Sequence, residues 1–349
     1  MMNKIALVIF TLGFATSCAY LASVTPPSKP PTPPLPAVTA EIVESKEIKK
    51  SESLQPRGID LGATVKVVAF SSSANQNLPQ PIWKSIALNI PDLFLFMGDN
   101  VQFSKTEPSS LMEQYHKLDR IPEYHAFREK VPFMATWNDQ DYGPKEFLRY
   151  WTYVANSISL GQHSVYHAKI IGPKKKQVQI IMLDTRSFRT KADDAKATLL
   201  GETQWGWLEE QLKRPAQVRL IVSSIPLIAF EKSANKAANQ WSNFPQERQR
   251  FFDLLKKTNA RNVVVLSGNR HQSSIAKISL KNWGILFDIT ASPINEPLAI
   301  AEEDSSFEGK PSAEESFGLA QIDWHDKKMS LQIRDINNKI MNSVSFKIK

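Results

Sequence analysis

The chain has 349 residues, 42% hydrophobic and 22% charged, enough for one large α/β domain with a well-buried core. Its formal charge of +8, with a pI near 9.3, fits surface solubility better than a dedicated anionic partner. No Arg/Lys block alternates with aromatics, which excludes a nucleic-acid module, and the single cysteine, Cys18, excludes an intramolecular disulfide.

The first segment carries a processing signal. Lys4 supplies a positive start, and residues 5–14 form an apolar run too short to span a bilayer comfortably. Ala15, Thr16 and Ser17 then lead to Cys18. This resembles a bacterial lipoprotein signal, in which Cys18 is lipidated and becomes the first mature residue; the alternative is an ordinary cleaved signal with an incidental cysteine. Ala19 follows rather than aspartate, which fits sorting to an outer membrane, facing the periplasm. Residues 25–38 are rich in proline, cannot build a core and favour polyproline II, as in a stiff tether. A ligand for SH3-type domains is the alternative, and it fits a bacterial lipoprotein poorly. The expected layout is a signal peptide over 1–17, tether and linker over 18–57, and one domain over 58–349, bound to the membrane through Cys18.

From Gly58 the pattern becomes that of a folded domain. A strand is expected over 64–70, a helix over 80–90 with Pro81 in its first turn, and a buried strand over 92–97. A helix over 109–131, a strand over 132–137 and a helix over 145–157 follow. Buried strands come next at 177–184 and 219–225, with an amphipathic helix over 203–212 between them. A helix over 244–258 feeds a strand over 262–266. The stretches 286–291, 317–324, 328–334 and 343–348 read as an antiparallel meander. Strands alternating with helices, then closing hairpins, predict two packed sheets flanked by helices.

The polar residues that could carry chemistry follow these strands, where open α/β sheets place their ligands. Ser71, Ser72 and Ser73 are either a plain polar loop or a phosphate cradle. Asp99, after Gly98, is placed to bridge hard cations or to cap the next turn. Asn138, Asp139, Gln140 and Asp141 offer metal ligands or Asx-turn residues. Arg186 could fork onto phosphate, and Asp184 beside it could be structural. His271, next to Arg270, offers an imidazole as metal ligand or acid/base group.

Taken in order, these blocks resemble the PhoD-like alkaline phosphatase branch of the metallophosphoesterases over roughly residues 60–300. The matching text includes Gly98-Asp99-Asn100, Ala135-Thr136-Trp137-x-Asp139-x-Asp141-Tyr142-Gly143 and Leu183-Asp184-Thr185-Arg186. It continues through Leu200-Gly201-Glu202-x-Gln204-Trp205, Pro245-x-Glu247-Arg248 and Ser267-Gly268-x-Arg270-His271. The resemblance implies a four-layer α-β-β-α sandwich with mixed sheets and a bimetal site at the strand ends.

The departures from the family pattern fall on that site. Ser73 stands where a cysteine or another soft or anionic ligand is expected, and Gln102 where a tyrosine is. The family's Trp-Asp-Asp-His-Asp is here Trp137-Asn138-Asp139-Gln140-Asp141. Lys145 aligns with an asparagine ligand, and Asn269 replaces an aspartate. Asp99 and His271 survive, and with Asp139 they are the expected ligands if any metal is kept. An amide keeps an acceptor oxygen but loses the charge that holds hard cations. Lys145 is further expected to pair with Asp99 in place of a metal. At about 4 Å such a pair is worth ~4 kcal/mol at an effective dielectric near 20. Three readings follow. The first is a lipid-anchored pseudophosphatase without metal, binding an anionic ligand or a protein partner, with Asp184, Arg186, Arg270 and His271 as residual anion contacts. The second is an active phosphatase or phosphodiesterase with a reduced site holding Ca, Fe or Zn ions. The third is a purely structural envelope lipoprotein.

Overall fold

The computed structural model describes residues 56–104, 109–192, 194, 196–229 and 239–349. The expected signal sequence, Cys18 and the proline-rich segment expected to be a tether lie outside the described residues. Two six-stranded sheets make the centre of the domain. The first contains β1 (Val67–Ser71), β2 (Leu93–Met97), β3 (Phe133–Thr136), β10 (Ser316–Asp323), β11 (Lys328–Asp335) and β12 (Ile340–Lys347), in the order β12-β11-β10-β1-β2-β3. The second contains β4 (His167–Ile171), β5 (Val178–Met182), β6 (Val218–Ser223), β7 (Val263–Ser267), β8 (Ser274–Leu280) and β9 (Gly284–Thr290), in the order β4-β5-β6-β7-β9-β8. Within the sheets β1, β2 and β3 are parallel, as are β5, β6, β7 and β9.

Side-chain alternation builds the layers. Along β2, Leu93, Leu95 and Met97 point into the core between the sheets, where they meet Ile180, Leu220 and Leu266. Phe94 and Phe96 point the other way, onto Trp83, Tyr124 and Phe127 of the helices. Those helices are α1 (Ile82–Ala87), α2 (Leu111–Asp119), α3 (Pro122–Arg128), α4 (Pro144–Tyr150) and α5 (Thr152–Ala155). On the far face of the second sheet, α6 (Gly201–Lys213) and α7 (Pro245–Thr258) cover Ile181, Ile221 and Val265. The result is the expected four-layer α-β-β-α sandwich. Strands buried on both faces show as near-continuous apolar runs, which is why β2, β5, β6 and β7 stand out in the sequence.

Four expectations about elements need correction. The helix expected over 109–131 is two helices, because Pro122 holds Ile121 extended at φ −71°, ψ 114°. The helix expected over 145–157 breaks at Trp151, whose backbone leaves the helical region at ψ 64°. The final meander holds only β10, β11 and β12; β9 pairs parallel with β7 in the other sheet. Finally, β4 and β8 are strands that sequence pattern missed. Both are edge strands of mixed polarity, in which burial does not alternate residue by residue, so they show no period of two.

On β4, His167 is a buried imidazole whose Nδ1 donates to the Val165 carbonyl at 2.7 Å. Its Nε2 is buried with no hydrogen-bond partner among the described residues. Burial therefore pushes this imidazole down to about 4. The unfolded chain takes up a proton near pH 6.5, which the folded state refuses until about pH 4. Stability is thus lost as pH falls through this window, by up to about 3 kcal/mol. His167→Asn keeps a donor near the Nδ1 position and removes the titration. Urea unfolding at several pH values should show the wild type losing stability relative to this variant between pH 6.5 and 4, with the two curves parallel above.

Candidate functional site

The parallel strands of both sheets end at the same edge, and their loops meet there. Thr136 Oγ1 donates to the Leu183 carbonyl at 2.9 Å, tying one sheet's loops to the other's. Gly98 sits at φ +97°, and a Cβ there would lie 2.8 Å from the Asn138 Cβ and 2.9 Å from the Ser224 Cβ. A Cβ at Gly268 would lie 2.4 Å from the Ser72 Oγ. Both glycines are required by this close approach. Ser73, Asp99, Asn269 and His271 all have positive φ, at 56°, 50°, 70° and 51°. So many non-glycine residues in this region mark a backbone held by its surroundings.

Asn138 is the hub of the loops. Its Nδ2 lies 2.9 Å from Asp99 Oδ2, 2.8 Å from Asp139 Oδ1 and 2.7 Å from Asn269 Oδ1. Its Oδ1 accepts from Ser224 Oγ at 3.2 Å. One amide nitrogen with two hydrogens is thus enclosed by three acceptor oxygens. Asp99 also accepts from the Gln140 amide at 3.0 Å. Burial pushes the Asp99 carboxyl well above the usual carboxylate range, and the nearby Asp139 and Asp141 add to this. Asp139 is exposed and bonds Asn239 Nδ2 at 3.0 Å.

The other expected residues divide between this centre and the scaffold. Asp141 belongs to the scaffold. It accepts from the Asn138 amide at 2.8 Å, the Asn100 amide at 3.0 Å, the Asn100 side chain and the Tyr115 hydroxyl at 3.2 Å. Desolvation pushes it up to about 6 in spite of these donors. Asp184 is also structural: Trp137 Nε1 and the amides of Val165, Arg186 and Ser187 all donate to it. Ser73 is buried, and its Oγ takes a bond from Ser292 Oγ at 3.1 Å. The backbone of Gln102 is clasped by the Gln76 amide, while the Gln140 side chain reaches Asp139 at 3.3 Å.

His271 turns its Nδ1 to the Glu296 carbonyl at 2.7 Å. Arg270 is ion-paired with Glu302. The expected Lys145–Asp99 pair does not form. Lys145 is exposed in the first turn of α4, and the hydrogen-bond partners of the Asp99 carboxylate are Asn138 and the Gln140 amide. The register of a short helix facing solvent was not fixed by any local signal.

The sequence reading missed Asn239. Its Oδ1 accepts from Arg186 Nη1 at 3.3 Å and from Arg189 Nη1 at 2.7 Å. Its backbone carbonyl accepts from Asn269 Nδ2 at 3.4 Å. Asn239, Arg186 and Arg189 line an open recess of about 430 Å³ together with Tyr142, Thr190 and Lys191. Burial and the neighbouring Arg186 push the Arg189 guanidinium down to about 10, so it stays cationic at neutral pH. Nothing in the chain around Asn239 marks it; only the fold brings it to these loops.

A family model described as PhoD-like phosphatase matches residues 153–328. This segment includes Asn269 and His271; Asp99 and Asn138 precede it. No curated protein sequence matches. Among solved structures, one described as the structure of PhoD aligns with a TM-score of 0.63 at 16% identity, covering 84% of this chain and 70% of that one. GAP50, described as the anchor in the inner membrane complex of Plasmodium, aligns at 0.55 and 12% identity, covering 81% and 90%. A dimetal phosphatase from Danio rerio aligns at 0.52 and 11% identity, covering 82% and 100%. At these identities the likeness is one of fold.

Asp141→Ala would leave the Asn138 and Asn100 amides and the Tyr115 hydroxyl without their buried acceptor. A loss of about 3–5 kcal/mol in urea unfolding is expected. A loss below about 1 kcal/mol would show that the carboxylate does not hold these loops.

Proposed function

The chain belongs to the PhoD-like phosphatase family, and from that premise we propose that it is a pseudophosphatase: a lipid-anchored protein that keeps the phosphatase fold and binds an anionic ligand without hydrolysing it. The family is metal-dependent. The donor set at the strand ends of this chain does not fit a pair of metal ions. Two carboxylates, Asp99 and Asp139, approach the centre, and the remaining oxygens come from the neutral amides of Asn138 and Asn269. Two divalent ions would bring a charge of about +4 against two carboxylates, and hard-cation affinity follows ligand charge.

One observation carries this reading: the Asn138 amide nitrogen sits 2.7–2.9 Å from three oxygens of Asp99, Asp139 and Asn269. It supplies hydrogen bonds where a cation would supply charge. A metal lowers the pKa of bound water to make a nucleophile; an amide does not. What this chain's own residues offer is recognition. Arg186, Arg189 and Lys191 make the recess beside the centre cationic, which suits phosphate or another oxyanion. The fold is also that of GAP50, described as an anchor, so it does not by itself imply turnover. Lipidation of Cys18 would hold the domain at the envelope on its proline-rich tether.

Elemental analysis of the full-length protein, with a chromogenic phosphoester screen across Ca, Fe and Zn, tests the loss of catalysis. Metal well below one equivalent and no turnover are expected. The double variant N138D/N269D should restore charge at the centre and raise metal occupancy. Stoichiometric metal in the wild type, with turnover abolished by Asp99→Ala, would replace this reading with that of a hydrolase using a reduced site.

The anchor is tested separately. Cys18→Ser should move the protein from the membrane fraction to the soluble envelope fraction of a Gram-negative host, and wild-type protein should label with a palmitate analogue. Unchanged membrane partition and no label in the wild type would remove the lipoprotein reading.

A further inference from the structure

Arg186, Arg189 and Lys191 together bring three positive charges to one recess. Among the described residues, no carboxylate lies within ion-pair distance of any of them. Arg270 and Arg250, by contrast, pair with Glu302 and Glu202. In the recess, one neutral oxygen, Asn239 Oδ1, takes a hydrogen bond from each of the two guanidinium groups. Arg189 is further held with its guanidinium carbon 5.1 Å from the Phe244 ring centroid, so its position is set from two sides. Accepting from two guanidinium groups at once is what a phosphate oxygen does well and what an amide oxygen does weakly.

Asn239 is tied at its other end to the amide-rich centre. Its Nδ2 donates to Asp139 Oδ1 at 3.0 Å, and its carbonyl accepts from Asn269. We propose that Asn239 is a built-in competitor for the recess: its Oδ1 holds the place of one oxygen of a tetrahedral phosphate-type anion, and the anion binds by displacing it. This deepens the anion-binding reading above and rests on it. Displacement frees Asn239 Nδ2 from Asp139, so occupancy of the recess is felt at the Asp99–Asn138–Asn269 centre. It also sets a threshold, because the apparent affinity is lowered by the fraction of molecules in which Asn239 is seated. A dianion can win this competition because both partners of its hydrogen bonds to the guanidinium groups are charged, whereas the amide oxygen they now meet is neutral.

Calorimetric titration of the full-length protein with inorganic phosphate, at low ionic strength, tests the proposal. Asn239→Ala removes the competitor and should bind phosphate about tenfold more tightly than the wild type. Asn239→Asp places a carboxylate between the same guanidinium groups and should weaken binding at least as much. Arg189→Ala should weaken it in both backgrounds. Phenyl phosphate as a second titrant should show the same dependence on position 239, and whichever titrant binds more tightly tells a free anion from an esterified one. Binding by Asn239→Ala alone also supports the proposal. Binding by the wild type that Asn239→Ala leaves equal or weaker overturns the competitor and spares the anion-binding reading. No binding by either protein at millimolar phosphate overturns both.

Discussion

The close approach of two sheets at one edge is the constraint on which this structure depends. Gly98 and Gly268 are the contact points, each backed by a side chain from another loop at a distance that no Cβ could share. Because the parallel strands of both sheets end there, seven loops deliver polar residues to the same small volume. The apolar core between the sheets fixes the strands, and the strands fix where the loops start. Chemistry at this edge can therefore change without the fold changing, since the residues that carry one are not those that carry the other.

The blocks that make the family legible illustrate that separation. Gln204 accepts from the Asp184 amide and donates to its carbonyl, pinning the loop after β5. Glu247 takes bonds from the Leu199 and Leu200 amides and from Trp205 Nε1, so it holds the start of α6. Arg248 grips the carbonyls of Leu227 and Ile228, whose amides donate to the buried Asp288. These are scaffold contacts, and losing any one leaves buried polar groups unsatisfied. A chain can keep all of them while its strand-end ligands drift. The text that identifies the family is thus weak evidence about whether the reaction survives.

How much could be read from the sequence follows the same physics. Strands β2, β5, β6 and β7 lie between two apolar layers and announce themselves as nearly continuous hydrophobic runs, with Gln179 and Arg219 the interior exceptions. The edge strands β4 and β8 bury residues without alternation and so carry no pattern, and the pairing of β9 with β7 and β8 is not written in local periodicity. At the site, Asp99, Asn138 and Asn269 were visible because each follows a strand directly. Asn239 was invisible because its loop meets the arginines only after folding. Lys145 failed for a different reason: a helix start was legible, but the direction its side chain faces was not.

The amide hub and the cationic recess are best understood together. A bimetal centre would draw a phosphoester into these loops by its own positive charge. With Asn138 at the hub, a neutral amide faces the carboxylates Asp99 and Asp139, and burial leads the first of these to favour its protonated form. Positive charge gathers at Arg186, Arg189 and Lys191, on the other side of Asn239. Asn239 spans the two regions, donating to the acidic side and accepting from the basic side. A neutral residue with both a donor and an acceptor on one rigid plane is the side chain that can do this without adding charge to either. An aspartate there would repel Asp139, and a lysine would repel the arginines. The electrostatics of the loops therefore select an amide at this position whether or not a ligand is bound, and an oxyanion that enters the recess has to contend with it.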